Sequence, residues 1–104
     1  MIPQQLREEM ANDKFYKKCC ITGLANEKIE WHHNLIFAGN QVQEKFCILP
    51  LLQSIHRDIV KYKEKCNWIM WARANEEQIK KFSKAINVKQ QIKYLNEKFG
   101  TYRE

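Results

Sequence analysis

The stretch Ile29–His33, with the sequence Ile-Glu-Trp-His-His, limits the folds open to this chain more than any other part of it. Its alternation predicts a β-strand. Successive side chains of a strand point to opposite faces, so Glu30 and His32 should share one face while Trp31 and His33 share the other. The two adjacent histidines are therefore expected to serve different purposes, and Trp31 is expected to pack in the core.

A second strand and a helix are predicted beyond a long connection that contains the turn signal Gly39–Asn40. Phe46–Leu49 should form the strand, and Pro50 should end it, because proline has no N–H for the ladder. A helix should then run from residue 52 or 54 to about residue 74 and bury a stripe of residues at helical spacing: Ile55, Ile59, Tyr62, Cys66 and Ile69. His56 lies one position from this stripe. All three histidines of the chain thus fall on a strand–strand–helix unit, which is a candidate metal site.

Further helices are predicted on both sides of this unit. Residues 1–18 show helical spacing of apolar side chains after an N-terminal proline. Asn75 is a plausible cap for a helix with two glutamates in its first turn, and a last helix should cover Val88–Phe99. We therefore expect one α+β domain of 104 residues, with a core over 19–74 and a helical extension over 75–104.

The balance of charge points to a polyanionic partner. A net charge of +6 and a pI near 9.2 favour DNA or RNA as that partner, although excess charge is often only a solvated surface. The sequence shows neither a leader pattern nor an apolar run near eighteen residues, so a cytoplasmic protein without membrane contact is expected. Its four cysteines are then best interpreted as reduced thiols, buried side chains or metal ligands: Cys19, Cys20, Cys47 and Cys66.

Four short segments carry a resemblance to a known family: Ile21–Leu24, Glu30–His33, Ala38–Gly39 and Ile48–Leu51. Together with His56, which follows His32 by 24 positions, they resemble the HNH or ββα-metal nucleases, and more narrowly the small HNH proteins of phages and prophages. The resemblance covers roughly residues 19–63. It implies a ββα-metal core, made of a two-stranded hairpin and a helix and wrapped by the additional helices.

The resemblance also implies roles for the residues. His32 and His56 would bind one divalent metal ion, and His33 would act as general base. The chain would be a metal-dependent endonuclease or nickase that cuts DNA with little sequence specificity in phage recombination or DNA processing, located in the bacterial cytoplasm if it is phage-encoded. RNA is the less favoured substrate.

Elementary chemistry adds detail to these roles. Glu30 lies two residues before His32 on the same strand face, where it could orient an imidazole ring or pair with a cation. Two imidazole ligands favour zinc, nickel, cobalt or manganese, while the coordination positions left for water also allow magnesium. Four basic residues follow His56 and are predicted to contact nucleic acid, with a solvated helix face as the equal alternative: Arg57, Lys61, Lys63 and Lys65.

The chain departs from the family pattern in its cysteines. Many relatives hold a structural zinc with two Cys-x-x-Cys pairs, but here only Cys19 matches, and Thr22, Leu52 and Ile55 occupy the other positions. One thiolate cannot hold a structural zinc, which normally needs four ligands. We therefore expect no zinc knuckle, and we expect apolar contacts of Leu52 and Ile55 in its place.

A second departure concerns the asparagine that usually begins the second strand, where this chain has Cys47. Asn34 or Asn40 could substitute for its amide. The departure favours an alternative function, a non-catalytic module of the same fold that binds nucleic acid or a partner. A third hypothesis makes the histidine cluster a purely structural metal site. A homodimer is also open, with the apolar run Trp68–Trp71 as the first candidate for its contact.

Overall fold

The computed structural model describes residues 2–34, 36 and 41–103 and is α+β, as predicted. Its strands are β1 (Ile29–His33) and β2 (Ile48–Leu52). Its helices are α1 (Gln4–Ala11), α2 (Gln53–Arg57), α3 (Ile59–Arg73), α4 (Glu76–Phe82) and α5 (Val88–Phe99), with short 3-10 helices at Lys14–Lys17 and Lys45–Cys47. The predicted turn at Gly39–Asn40 and the segment Ala38–Gly39 lie outside the described residues.

The two strands pair as an antiparallel hairpin, in which His32 lies opposite Leu49. The prediction that Pro50 ends the second strand is wrong: Pro50 lies in the middle of β2, opposite Trp31, and the residues before Ile48 form a 3-10 helix. The missing N–H is tolerated because the polar backbone groups of Pro50 face away from β1. Its carbonyl accepts a hydrogen bond from the Cys20 N–H at 2.9 Å on that outer side.

One face of the hairpin packs against the N-terminal segment. Ile48, Met10 and Tyr16 are buried together there, and Trp31 packs partly buried against them, as predicted. The Tyr16 hydroxyl lies 2.7 Å from the carbonyl oxygen of Lys45 and 2.9 Å from that of Ile48. The tyrosine therefore binds the N-terminal segment to the outer edge of β2.

The other face of the hairpin packs against α3. Leu49 and Leu51 are fully buried with Cys66 and Ile69, and the remaining positions of the predicted helical stripe join the same cluster. The stripe is therefore confirmed. Helix α3 and the N-terminal segment lie on opposite faces of the hairpin. Together they fix which of these two faces each β1 side chain points to.

The predicted single helix between residues 52 or 54 and 74 is broken at Asp58, whose backbone (φ −100°, ψ 27°) leaves the helical region. Aspartate is a poor helix former because its side chain competes for backbone hydrogen bonds. The first N–H groups of the segment donate to residues that precede β1. The Gln53 N–H donates to the Lys28 carbonyl at 3.0 Å, and the Ser54 N–H donates to Glu27 Oε1 at 2.7 Å. His56 therefore sits on the separate helix α2, which is held to the residues before β1.

The N-terminal helix is shorter than the predicted span of residues 1–18. Helix α1 ends at Ala11, and Asp13 caps the following 3-10 helix by accepting a hydrogen bond from the Phe15 N–H at 2.9 Å. Apolar spacing alone did not reveal this change of direction. Met10 is buried, as its position in the predicted helix requires.

The C-terminal helices agree with the prediction. Asn75 forms a capping box with Gln78 at the start of α4, and α5 spans Val88–Phe99. Trp71, Phe82 and Leu95 are buried in one cluster, and the residues leading into β2 are buried with them. The extension therefore shares its core with α3 and with the residues that lead into β2. No helix in the described ranges is long and apolar enough to cross a membrane.

The run Trp68–Trp71 packs against other parts of the same chain. Trp71 is buried, and its indole N–H donates to Gln91 Oε1 on α5 at 2.6 Å. The indole N–H of Trp68 donates to the Gly100 carbonyl at 2.9 Å, and its ring contacts Phe99. The tryptophans therefore fasten the C-terminal helix, and the run is not an open surface for a second copy.

Candidate metal and catalytic site

Two histidines and a glutamate meet where β1 faces α2. The ring centres of His32 and His56 are 5.1 Å apart. Glu30, which shares the strand face of His32, lies with Oε1 2.8 Å from Nδ1 of His56. The structure thus brings together the three residues that strand alternation and helix position singled out.

The contact between Glu30 and His56 fixes the orientation of the imidazole. A carboxylate can only accept, so Nδ1–H of His56 donates and Nε2 keeps its lone pair for a ligand. The hydrogen bond from His56 lowers the pKa of Glu30 below its usual range. Gln53 adds a weaker donor, at 3.4 Å from Glu30 Oε2. Its position three residues before His56 on α2 is the sequence signal that could have identified it.

His32 is held in its neutral form. Burial is the largest cause that lowers its pKa to about 4, followed by the charge of nearby His56. A hydrogen bond with the Asn34 side chain opposes part of this shift. At neutral pH the ring therefore carries the free lone pair that metal binding requires.

The spacing of the two imidazoles fits a shared divalent ion. Metal–nitrogen distances of about 2.0–2.1 Å place the ring centres of two histidine ligands roughly 5–6 Å apart, which includes the separation of His32 and His56. Across residues 2–34, 36 and 41–103, no group of three or more His, Cys, Asp or Glu side chains is arranged to hold an ion. An ion here would therefore use two protein nitrogens and keep its remaining positions for water or phosphate.

His33 ends β1 on the opposite face from His32, as strand alternation predicts. Its Nε2 lies 3.1 Å from Gln43 Oε1. Gln43 occupies Nε2 and leaves Nδ1 open. In the tautomer with Nε2–H as the donor, Nδ1 has the lone pair through which a general base takes up a proton.

Asn34 is one of the two residues that could substitute for the amide missing at Cys47. Its backbone N–H donates to the Cys47 carbonyl at 2.7 Å, and its buried amide donates to Asn67 Oδ1 at 2.7 Å and to the Met70 sulfur at 3.3 Å. The end of β1 is thereby tied both to the residue before β2 and to α3. Asn40, the other candidate, lies outside the described residues.

The segment around Cys19 forms a tight turn. The Cys19 N–H donates to the Leu24 carbonyl and the Gly23 N–H donates to the Cys19 carbonyl, both at 2.8 Å. Gly23 has φ +73°, which suits glycine. Cys19 packs with Leu52 and Ile55, so the predicted apolar contacts are confirmed, while the absence of zinc stays a prediction. All four cysteines are free thiols.

The four predicted nucleic-acid contacts do not form one patch. Arg57, Lys61 and Lys63 are exposed and Lys65 is half-buried. Lys61 and Lys65 lie one turn apart on α3, whereas Lys63 lies on the opposite side of the helix. Lys61 is 4.0 Å from Asp58, which offsets part of its charge. A role in nucleic-acid binding stays a prediction for all four residues.

No known family profile matches the chain, and no curated protein or solved structure is significantly similar to it. The likeness to HNH nucleases therefore stays a prediction from the motif residues of the sequence.

Proposed function

We propose that the chain is a metal-dependent endonuclease or nickase of the HNH type, which hydrolyses phosphodiester bonds in DNA with low sequence specificity. The observation that supports this most is the arrangement of His32 beside His56, with His33 at the end of the same strand on its other face. Two imidazoles with free nitrogens fit a divalent ion, and a third offers a free Nδ1. A hairpin followed at once by a short helix is the framework that a ββα-metal site uses.

Each group has a distinct task in this proposal. A divalent ion on His32 and His56 would supply charge neutralisation at the phosphate and help for the leaving alkoxide. His33 Nδ1 takes the proton from the attacking water. Glu30 accepts from His56 Nδ1 and so leaves Nε2 of that ring with the lone pair that would bind an ion. Zinc, nickel, cobalt, manganese and magnesium are all candidates, with imidazole ligands favouring the first four.

The decisive experiment is cleavage of supercoiled plasmid by metal-stripped protein that is resupplied with each of these ions in turn. We expect nicked or linear product only with metal, and a loss of about 100-fold or more in rate for His33→Ala, because a general base contributes about 10²–10⁴-fold. Lys84→Ala, an exposed change on another part of the surface, is the matched control and should cut normally. Parallel reactions with single-stranded DNA, branched DNA and RNA identify the preferred substrate.

A second candidate is a module that keeps this fold and binds nucleic acid or a partner without cutting. Cys47 favours it, because a buried thiol within an apolar cluster cannot supply the amide hydrogen bonds of the asparagine it replaces. Under this alternative the protein binds DNA in a fluorescence-anisotropy titration but yields no product with any metal. That combination, from folded protein, would overturn the nuclease proposal.

A further inference from the structure

We infer that a basic pocket beside the N-terminal 3-10 helix binds one unpaired nucleotide of a DNA strand. The pocket lies between residues 13–20 and the C-terminal residues Tyr102 and Arg103, and its volume is about 390 Å³. Small-molecule pockets usually measure about 300–1,000 Å³, so this one suits a single nucleotide and not a length of strand. That DNA supplies the nucleotide rests on the proposed function, whereas the chemistry of the pocket does not.

The basic pocket has an excess of positive charge. Three cationic side chains line it, those of Lys14, Lys18 and Arg103, together with one carboxylate, Asp13. The carboxylate is already paired with Lys45 at 2.6 Å. Among the side chains that the structure describes, no acidic group forms an ion pair with any of the three cations that line the pocket. Their charge is therefore available to an anionic ligand.

Two aromatic rings line the same pocket, Phe15 and Tyr102. The Arg73 guanidinium lies over Phe15, 3.5 Å from the ring centre, and brings a further positive charge close to the pocket. Tyr102 is half-buried and meets Trp68 nearly at a right angle, with ring centres 5.3 Å apart. Unpaired bases stack on aromatic rings, and phosphates bind Lys and Arg. Cations and rings in one pocket therefore fit a nucleotide better than a bare anion.

The cations of the basic pocket converge, unlike the four basic residues after His56, which do not form one patch. Lys14 and Lys18 come from the start of the chain and Arg103 from its end, yet all three line one concave volume. Like charges repel each other, so this arrangement costs some stability in the absence of a bound anion. Ligand binding explains the convergence, whereas a solvated surface does not require it.

The basic pocket lies near the strand that carries His32. The N–H of Cys20, which lines the pocket, donates to the Pro50 carbonyl at 2.9 Å, and Pro50 pairs with Trp31 across the hairpin. Neighbouring strands are about 4.7–4.9 Å apart, so the Cys20 backbone lies two such spacings, roughly 10 Å, from β1. A DNA strand bound at the histidines therefore has nearby nucleotides within reach of the pocket.

The test is a fluorescence-anisotropy titration of a labelled single strand of oligothymidine with metal-free protein. We expect the triple variant Lys14→Ala/Lys18→Ala/Arg103→Ala to bind about 10-fold or more weakly than the wild type. The slope of log affinity against log salt should become less steep by about 0.7 for each phosphate contact that is lost. The loss should be smaller for a duplex that contains the same strand, because paired bases cannot enter a pocket.

A charge-matched control separates the pocket from the net charge. The triple variant Lys80→Ala/Lys89→Ala/Lys93→Ala removes three positive charges from exposed positions on α4 and α5. It should bind the single strand within about 2-fold of the wild type. Equal losses in the two triple variants would show that only net charge matters, and the inference would then be wrong.

A second readout uses thymidine 5′-monophosphate and inorganic phosphate as separate probes in NMR of the ¹⁵N-labelled protein. Thymidine monophosphate should shift the amide signals of Gly23 and Arg103, which line the pocket, and should bind more tightly than phosphate because it has a base. Tyr102→Leu, which keeps an apolar side chain beside Trp68, should reduce this advantage and leave phosphate binding unchanged. Equal affinities for the two probes in the wild type, or no shift at the pocket with either, would contradict a nucleotide site.

These outcomes are separate from those of the proposed function, because binding is measured without metal and without cleavage. If the wild type cuts no DNA but the pocket variant alone loses affinity for the single strand, the nuclease proposal fails and the inference stands. If the wild type cuts DNA and the pocket variant binds and cuts like its charge-matched control, the inference fails and the nuclease proposal stands.

Discussion

Glu30 and Glu27 are two carboxylates that contact the same short helix at different points. Glu30 accepts from the His56 ring, whereas Glu27 accepts from the Ser54 N–H at the first turn of α2. The Ser54 N–H is the main cause that lowers the pKa of Glu27. One carboxylate thus orients a side chain and the other orients backbone, which makes them a natural pair for comparison.

We predict that Glu30→Gln weakens Ni²⁺ or Zn²⁺ binding by about 10-fold or more. The neutral amide is a weaker acceptor for the His56 N–H, which makes the other ring nitrogen a weaker ligand for the metal ion. Calorimetric titration of the metal-stripped protein measures the change. Glu27→Gln is the control and should retain the affinity of the wild type within about 2-fold. Equal losses in both variants would show that charge near α2 matters, and not the contact with His56.

The sequence predicted the residues of the site better than the contacts among them. Strand alternation was enough to place Glu30 with His32 and to separate His33, because a period of two leaves no other arrangement. Asn67 could not be predicted, since its contact with Asn34 depends on how α3 lies beyond the break at Asp58. Partners far apart in sequence become visible only when packing sets the geometry.

Among the elements, the short 3-10 helix near the N-terminus depends on one charged residue. Asp13 accepts from the Phe15 N–H at the start of this helix and pairs with Lys45 at 2.6 Å and with Arg73 at 3.9 Å. The hydrogen bond from Lys45 is the largest cause that lowers the pKa of Asp13 below its usual range. The carboxylate thus ties the segment before β1 to the lead-in of β2 and to the end of α3.

We predict that Asp13→Ala lowers the free energy of unfolding by about 1 kcal/mol at pH 7, the usual cost of a lost cap. Because the pKa of Asp13 is lower in the folded than in the unfolded state, its contribution is complete above about pH 4. It disappears as the pH falls through the folded-state value. Urea unfolding at pH 7 and at pH 3 measures this difference, with Glu9→Ala on the exposed side of α1 as control. A difference that persists undiminished at the lower pH would contradict the ionic explanation.

Elements with strong local signals were predicted correctly, and those that depend on tertiary contacts were not. The cap at Asn75 and the stop at Gly100 are visible in the sequence: α4 begins directly after Asn75, and α5 has the expected bounds. Pro50 misled the prediction because its tolerance depends on which edge of the hairpin is free. Asp58 misled it because the apolar stripe continues across the break in the helix.

At the scale of the whole molecule, three apolar clusters hold the layers together. One joins the lead-in of β2 to α3, α4 and α5, another joins the hairpin to α3, and the last joins it to the N-terminal segment. Together they join both strands to the N-terminal segment and to helices α3, α4 and α5 through apolar contacts alone. The fold is therefore expected to form without a metal ion, in contrast to the hypothesis of a purely structural metal site.

We predict that the metal-free protein shows native near-UV circular dichroism and a single cooperative thermal transition. Added Ni²⁺ or Zn²⁺ should raise Tm by an amount that grows with the logarithm of the free metal concentration, as mass action requires for a ligand of the folded state. His56→Ala should abolish the shift and leave the metal-free Tm within a few degrees of the wild type. Loss of tertiary structure upon chelation would instead identify a structural metal.

The covered outer edge of β2 has a consequence for behaviour in solution. Pro50 offers no N–H there, its carbonyl is taken by Cys20, and the carbonyl of Ile48 is taken by Tyr16. A strand in this state cannot recruit the backbone of another molecule, which is the first step of β-aggregation. We therefore expect Pro50, which lies in the buried strand β2, to limit the pairing of this segment with other chains while the protein is unfolded.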